Sequence, residues 1–166
     1  MDNILSVNNL HVEFNAPEGL IKAVKGVSFS IQMGKTVAIV GESGSGKSTL
    51  GNAILNVLRL TAPDVKISGK VSLLQDNEEI ELLNLSRSEM KPFRKHIQMI
   101  FQDPYSSLNS RLKVKDIIAE PILLHNPKIS KLDLINYIYD LLDSVELIQS
   151  SAERYPHEFS GGQRQR

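Results

Sequence analysis

Residues Gly41-Glu-Ser-Gly-Ser-Gly-Lys-Ser48 fit the pattern G-x-x-x-x-G-K-[ST], and no other stretch of this 166-residue chain restricts its fold as tightly. Gly41, Gly44 and Gly46 carry no Cβ, so the backbone there is free to curl until successive N–H groups converge on one anion. Glu42, Ser43 and Ser45 fill the variable positions, where the backbone rather than the side chain does the binding. Lys47 is placed to reach the β- and γ-oxygens of a polyphosphate, and the Ser48 hydroxyl suits Mg²⁺. Thr49 follows them into a helix whose N-terminal amides add to the cradle. The flanks agree: Thr36-Val-Ala-Ile-Val40 is a β-branched run leading in, and Thr49 to Leu58 has helical apolar spacing leading out. A strand, a phosphate-binding turn and a helix define an α/β chain.

The rest of the chain is ordered around that loop. Ile4 to Phe14 and Ala23 to Ile31 read as strands of an N-terminal sheet, separated by the turn-rich Asn15 to Gly19. Val65 to Leu74 and Glu79 to Leu83 read as two more, joined at Gln75-Asp-Asn-Glu78. A short helix is expected over Ser86 to Lys91, stopped by Pro92. Ile97 to Phe101 reads as a strand before the loop that begins at Gln102. From Val114 onward Ile117, Ile118, Leu134, Ile135, Ile138, Leu141, Leu142 and Val145 recur at three- and four-residue spacing, which predicts a helical lobe broken at Pro121 and at Asn126-Pro127. The length suits one domain with a core of its own.

Composition removes several function classes. Lysine and arginine equal aspartate and glutamate at 19 each, so no global field favours nucleic acid or an anionic membrane surface. No cysteine is present, which excludes disulfides and zinc-thiolate sites. His11, His96, His125 and His157 lack metal-ligand spacing and read as local hydrogen-bonding groups. The amino terminus has no secretory pattern, and the longest apolar patch, Ile117 to Leu124, is too short to span a bilayer. The expectation is a cytoplasmic chain that meets the membrane only through a protein partner.

Further segments carry a family resemblance. Phe159-Ser-Gly-Gly-Gln163 resembles the signature of ATP-binding-cassette (ABC) ATPases, and Ile100-Phe-Gln-Asp-Pro104 looks like the Q-loop of the same family. Phe14 sits where that family places an aromatic that stacks on adenine. Ile100 to Arg111 and Asp116 to Pro121, taken with Tyr155 to Arg166, are similar to the oligopeptide, dipeptide and nickel importer branch. The resemblance implies the ABC-ATPase phosphate-loop fold: an N-terminal antiparallel sheet, a parallel core sheet, and an inserted helical subdomain over about 105–155, in a nucleotide-binding domain covering 1–166. It implies ATP and Mg²⁺ as cofactors, with Gln102 and Ser48 on the metal. It also implies that Ser160, Gly161, Gly162 and Gln163 clamp the γ-phosphate held by a second, head-to-tail ATPase subunit. An integral membrane permease is the implied partner, and no nucleic acid.

The pattern departs from the family after the signature. No apolar strand ending in Asp-Glu-Pro occurs, and no histidine follows Ser160. The expectation is therefore a partial nucleotide-binding domain that binds ATP and hydrolyses it barely above background. The alternative is a non-catalytic nucleotide-binding or regulatory module derived from such an ATPase.

Overall fold

A computed structural model describes residues 3–17, 19–101, 103 and 107–166. It divides the chain into two compact units, Met1–Met99 and Ile100–Arg166.

The first unit is built on an antiparallel sheet of β1 (Asn3–Ala16), β2 (Gly19–Gln32), β3 (Lys66–Gln75) and β4 (Glu78–Glu81), in the order β2-β1-β3-β4. Leu5 and Val7, then Leu10 and Val12, are buried along β1. The change of phase between those pairs comes from Asn8-Asn9, where the register slips against both neighbours and Asn9 takes φ 46. Gly69 answers that bulge from β3: at φ +104, a Cβ there would lie 2.4 Å from the Asn9 carbonyl oxygen. Asp76 and Asn77, both with positive φ, form the two-residue hairpin between β3 and β4.

Helix α1 (Lys47–Ile54) buries Leu50 and Ala53 in the core made by Val7, Leu10, Val12, Val24, Val71 and Leu73. Truncating a side chain such as Leu50 to alanine costs about 2–5 kcal/mol in a core of this kind. The helix stops short of the predicted Leu58. Asn56 turns left-handed at φ 52, and the short α2 (Leu58–Thr61) follows. Asn56 is buried, and its side-chain amide donates to the carbonyls of Leu82 and Leu85 at 2.8 and 3.1 Å. The Arg94 guanidinium donates to the Leu55 and Asn56 carbonyls at 2.5 and 3.4 Å, satisfying acceptors that a helix end leaves open. Burial lowers the pKa of Arg94.

Helix α3 (Arg87–Met90), capped by Ser86 and Glu89, ends just before Pro92 as expected, and the chain continues into a 3-10 turn, Lys91–Lys95, whose first residues need no N–H donor. One expectation changes here. Thr36–Val40 and Ile97–Phe101 are unpaired, so the parallel sheet expected around them is not assembled among the described residues. A strand is completed by its neighbour's hydrogen bonds, and a β-branched run without a neighbour stays open; Val40 is 89% exposed.

The second unit packs α4 (Val114–His125) with α5 (Lys131–Ser144) around Ile138, Leu142 and Ala152. Pro121 lies inside α4 instead of interrupting it; the residue is exposed, so water has access to that face of the helix. Asn126 does end the helix. Helix α5 is capped by Ser130 and closes in a Schellman turn, with Leu147 N–H donating to Leu142 and Glu146 N–H to Asp143. Glu153 receives Lys113 at 2.8 Å and Lys115 at 2.5 Å, tying the start of α4 to the 3-10 turn Gln149–Glu153. Those two ammonium groups hold the Glu153 carboxyl at about 2.

Candidate phosphate-binding site

The phosphate loop enters α1 through Gly46, which takes φ 94 and supplies no side-chain cap. The first helical hydrogen bond runs from Leu50 N–H to the Gly46 carbonyl at 2.8 Å. The amides of Lys47, Ser48 and Thr49 therefore have no carbonyl one turn back, and no acidic residue stands in the first turn to occupy them. This is a helix end left open to an anion. Gly44 also sits at φ +79 with open space around its α-carbon, and a Cβ on Gly41 would fall 2.7 Å from Ser45 Oγ. A side chain at these glycines would strain or fill the concavity, so the residues present fit a phosphate.

Lys47 spans the loop. Its Nζ donates to the carbonyls of Gly41 and Glu42 at 2.9 and 2.5 Å and to Ser45 Oγ at 3.3 Å. The ammonium is thus held over the loop, and the Ser45 N–H closes a turn onto Glu42 at 3.2 Å. Ser43 and Ser48 are exposed, and Thr49 is half-buried beside Leu50. A cleft of about 450 Å³ opens alongside, lined by Gly44, Ser45, Gly46 and Lys47 and by residues of β2. The loop rests on that strand: a Cβ on Gly46 would meet the Ala23 carbonyl oxygen at 2.3 Å.

The other predicted residues fall elsewhere. Phe14 packs half-buried against the core of the first unit, opposite Ile21, and lies outside the lining of the cleft. Gln102 lies outside the described residues. Ser160 caps the short helix α6 (Gly161–Gln165) in the second unit. Its Oγ accepts from Gln163 N–H at 3.3 Å, while Gln163 Oε1 accepts from Ser160 N–H at 3.0 Å. The Ser160 hydroxyl keeps its own hydrogen to donate, and the amides of Gly161 and Gly162 precede the first helical bond, Arg164 N–H to Ser160. Arg164 also donates to the Phe159 and His157 carbonyls at 3.1 and 3.3 Å, holding the turn against the residues before it.

Sequence reasoning missed Lys22 and Lys25, which line the cleft from β2. The available signal was Gly26, a glycine inside a strand pattern, which marks a bulge or a close backbone approach. It also missed the clamp of Asn56 and Arg94 at the far end of α1, for which no local pattern exists.

A glycine-rich turn that opens a helix packed under a sheet defines a phosphate-loop nucleoside-triphosphatase fold. The family model described as ABC transporter matches residues 24–166, and the chain belongs to that family. It is 42% identical over 165 residues to "Oligopeptide transport ATP-binding protein OppF" of Bacillus subtilis (strain 168), covering 99% of this chain and 51% of that one. To the protein of the same name from Streptococcus mutans it is 43% identical over 164 residues, 98% of this chain and 50% of the relative. The chain thus spans about half the length of these relatives. Among solved structures it is similar to the ATP-binding cassette MJ0796, a dimer in a post-hydrolysis state bound to ADP and Pi. The TM-score is 0.75 at 27% identity, over 96% of this chain and 65% of that one. Among the described residues no helix is long and apolar enough to cross a membrane.

Proposed function

We propose that this chain is the ATP-binding portion of an ABC importer subunit serving oligopeptides or dipeptides. The observation that carries the reading is the uncapped start of α1 behind Gly41–Ser48, in a chain matched along nearly its whole length by oligopeptide transport ATP-binding proteins. Gly41 through Thr49 hold the phosphates, with Lys47 exchanging its loop carbonyls for β- and γ-oxygens. Ser48 and Gln102 are the residues that hold Mg²⁺, which when bound neutralises charge between those oxygens. Phe14 stacks on adenine from β1. Ser160 to Gln163 present the second set of donors, to the nucleotide of a head-to-tail partner subunit.

The domain is a partial nucleotide-binding domain over residues 1–166, with a helical subdomain at about 105–155. That subdomain bears on an integral permease, which places the chain on the inner face of the cell membrane. Equilibrium titration of the 166-residue chain with ATP and Mg²⁺ tests the reading. Saturable binding that Lys47→Ala weakens by about ten- to a hundredfold supports it, and no saturable binding overturns it. Recovery of a membrane permease with the chain from native membranes tests the transport assignment separately.

A further inference from the structure

The stretch of β2 on which the phosphate loop rests is not a regular strand. While β1 advances through four residues, Leu10 to Glu13, β2 uses six, Lys22 to Val27, with register breaks on either side of the pairs His11↔Lys25 and Val12↔Val24. The two additional residues are Gly26, at φ 76, and Ala23. Bulges re-aim side chains and recur next to binding sites. Here one of them puts its carbonyl against Gly46, and the segment contributes Lys22, Ala23, Val24 and Lys25 to the cleft beside Lys47. The described lining therefore holds three lysines and no carboxylate. Lys22 Nζ stands 3.7 Å from Glu13 Oε1, which offsets part of its charge. Lys25 is exposed and has no ion pair among the described residues; its neighbour across the ladder, His11, is bonded to Asn9 Oδ1 at 3.0 Å.

From this geometry we infer that the doubly bulged Lys22–Val27 segment is an outer arm of the phosphate cradle, and that Lys25 is a specificity-determining residue that favours nucleotides with more phosphates. The inference rests on the nucleotide reading above and goes further by assigning a role to β2. Lys47 serves the phosphates inside the loop, whereas Lys25 adds a cation at the rim that only a longer, more highly charged chain rewards. Lys22 contributes less, because Glu13 already partners it.

The test is titration of the 166-residue chain and its Lys25→Gln, Lys25→Arg and Lys22→Gln variants with ATP, ADP and AMP, with melting temperatures recorded alongside. The expected result is that Lys25→Gln weakens ATP binding by about fivefold, ADP less and AMP not at all, while Lys25→Arg stays within about twofold of wild type. Lys22→Gln is expected to move ATP binding less than Lys25→Gln. Equal losses for ATP and AMP, or an unchanged ATP affinity in a Lys25→Gln protein with wild-type melting, overturns the inference and leaves the nucleotide reading standing. Absence of ATP binding by the wild-type chain overturns both.

Discussion

The phosphate loop and the Ser160 turn are both short glycine-bearing segments that open a helix, yet they treat their backbone donors in opposite ways. At Gly46 the helix begins with no side-chain cap, and the amides of Lys47, Ser48 and Thr49 precede its first hydrogen bond. At Ser160 the helix begins with a closed capping box, in which Gln163 and Ser160 satisfy each other's amides. The first turn takes its shape from the left-handed Gly44 and Gly46, the latter lying so close to the Ala23 carbonyl that no side chain fits between them. The second is self-supporting and has only the Ser160 hydroxyl hydrogen and two glycine amides to spare. An open helix end has several amides to offer an anion. A capped one has fewer to offer.

Exchanging the lysine breaks that contrast most sharply. Lys47→Ala removes the only lysine bonded within the loop and is expected to cost about 1.5–3 kcal/mol of ATP binding, read by titration, with the melting temperature moved little. Gly46→Ala comes next and acts through shape instead of charge. Its methyl group meets the Ala23 carbonyl and its φ of 94° disfavours any side chain, so a loss of about 1–3 kcal/mol in stability, together with lost binding, is expected from paired melting and titration measurements. Ser160→Ala sharpens the comparison from the other side. It removes a cap and should cost the second unit about 1 kcal/mol, visible in chemical denaturation, while ATP affinity of the isolated chain stays at the wild-type value. A tenfold affinity loss in Ser160→Ala would mean that the two turns act on one nucleotide within a single chain.

What could be read from sequence follows the same division between local and distant causes. Gly41–Ser48 was legible because its glycines encode a backbone shape by themselves, and the strands of the antiparallel sheet were legible because β-branched and other apolar residues cluster within each run, bounded by turn residues. Asp76-Asn77 announced its hairpin for the same reason. Thr36–Val40 has the composition of a core strand, but pairing depends on another segment, and composition does not report whether one is present. Asn56 ends α1 early because its amide reaches the carbonyls of Leu82 and Leu85, far along the chain. Pro121 looked like a break and sits within α4, where the residues around it, from Val114 to Ile122, pack against Ile138 and Leu142. Lys22 and Lys25 carry no local mark of their own, and it is the double bulge in β2 that brings them to the cleft that Lys47 lines.

The smallest expected effect concerns the second unit alone and uses acid as the probe. Lys113 and Lys115 both donate to Glu153, and these hydrogen bonds favour the ionised carboxylate, holding its pKa at about 2 in the folded chain. A carboxylate depressed on folding contributes stability that is fully present above its unfolded pKa and is lost as pH falls through the folded one. The contribution is therefore constant near neutrality and declines between about pH 4.5 and about pH 2. All three side chains are reached by solvent, so salt screens the pair and the gain is small. Glu153→Gln removes the titrating group while keeping an oxygen for one lysine. Unfolding curves of the two proteins should differ slightly at pH 7 and converge toward pH 2. If they instead remain parallel across that range, the two lysines do not hold the turn to α4, and the Val114 N–H bond to the Arg154 carbonyl at 2.9 Å is what secures the start of that helix.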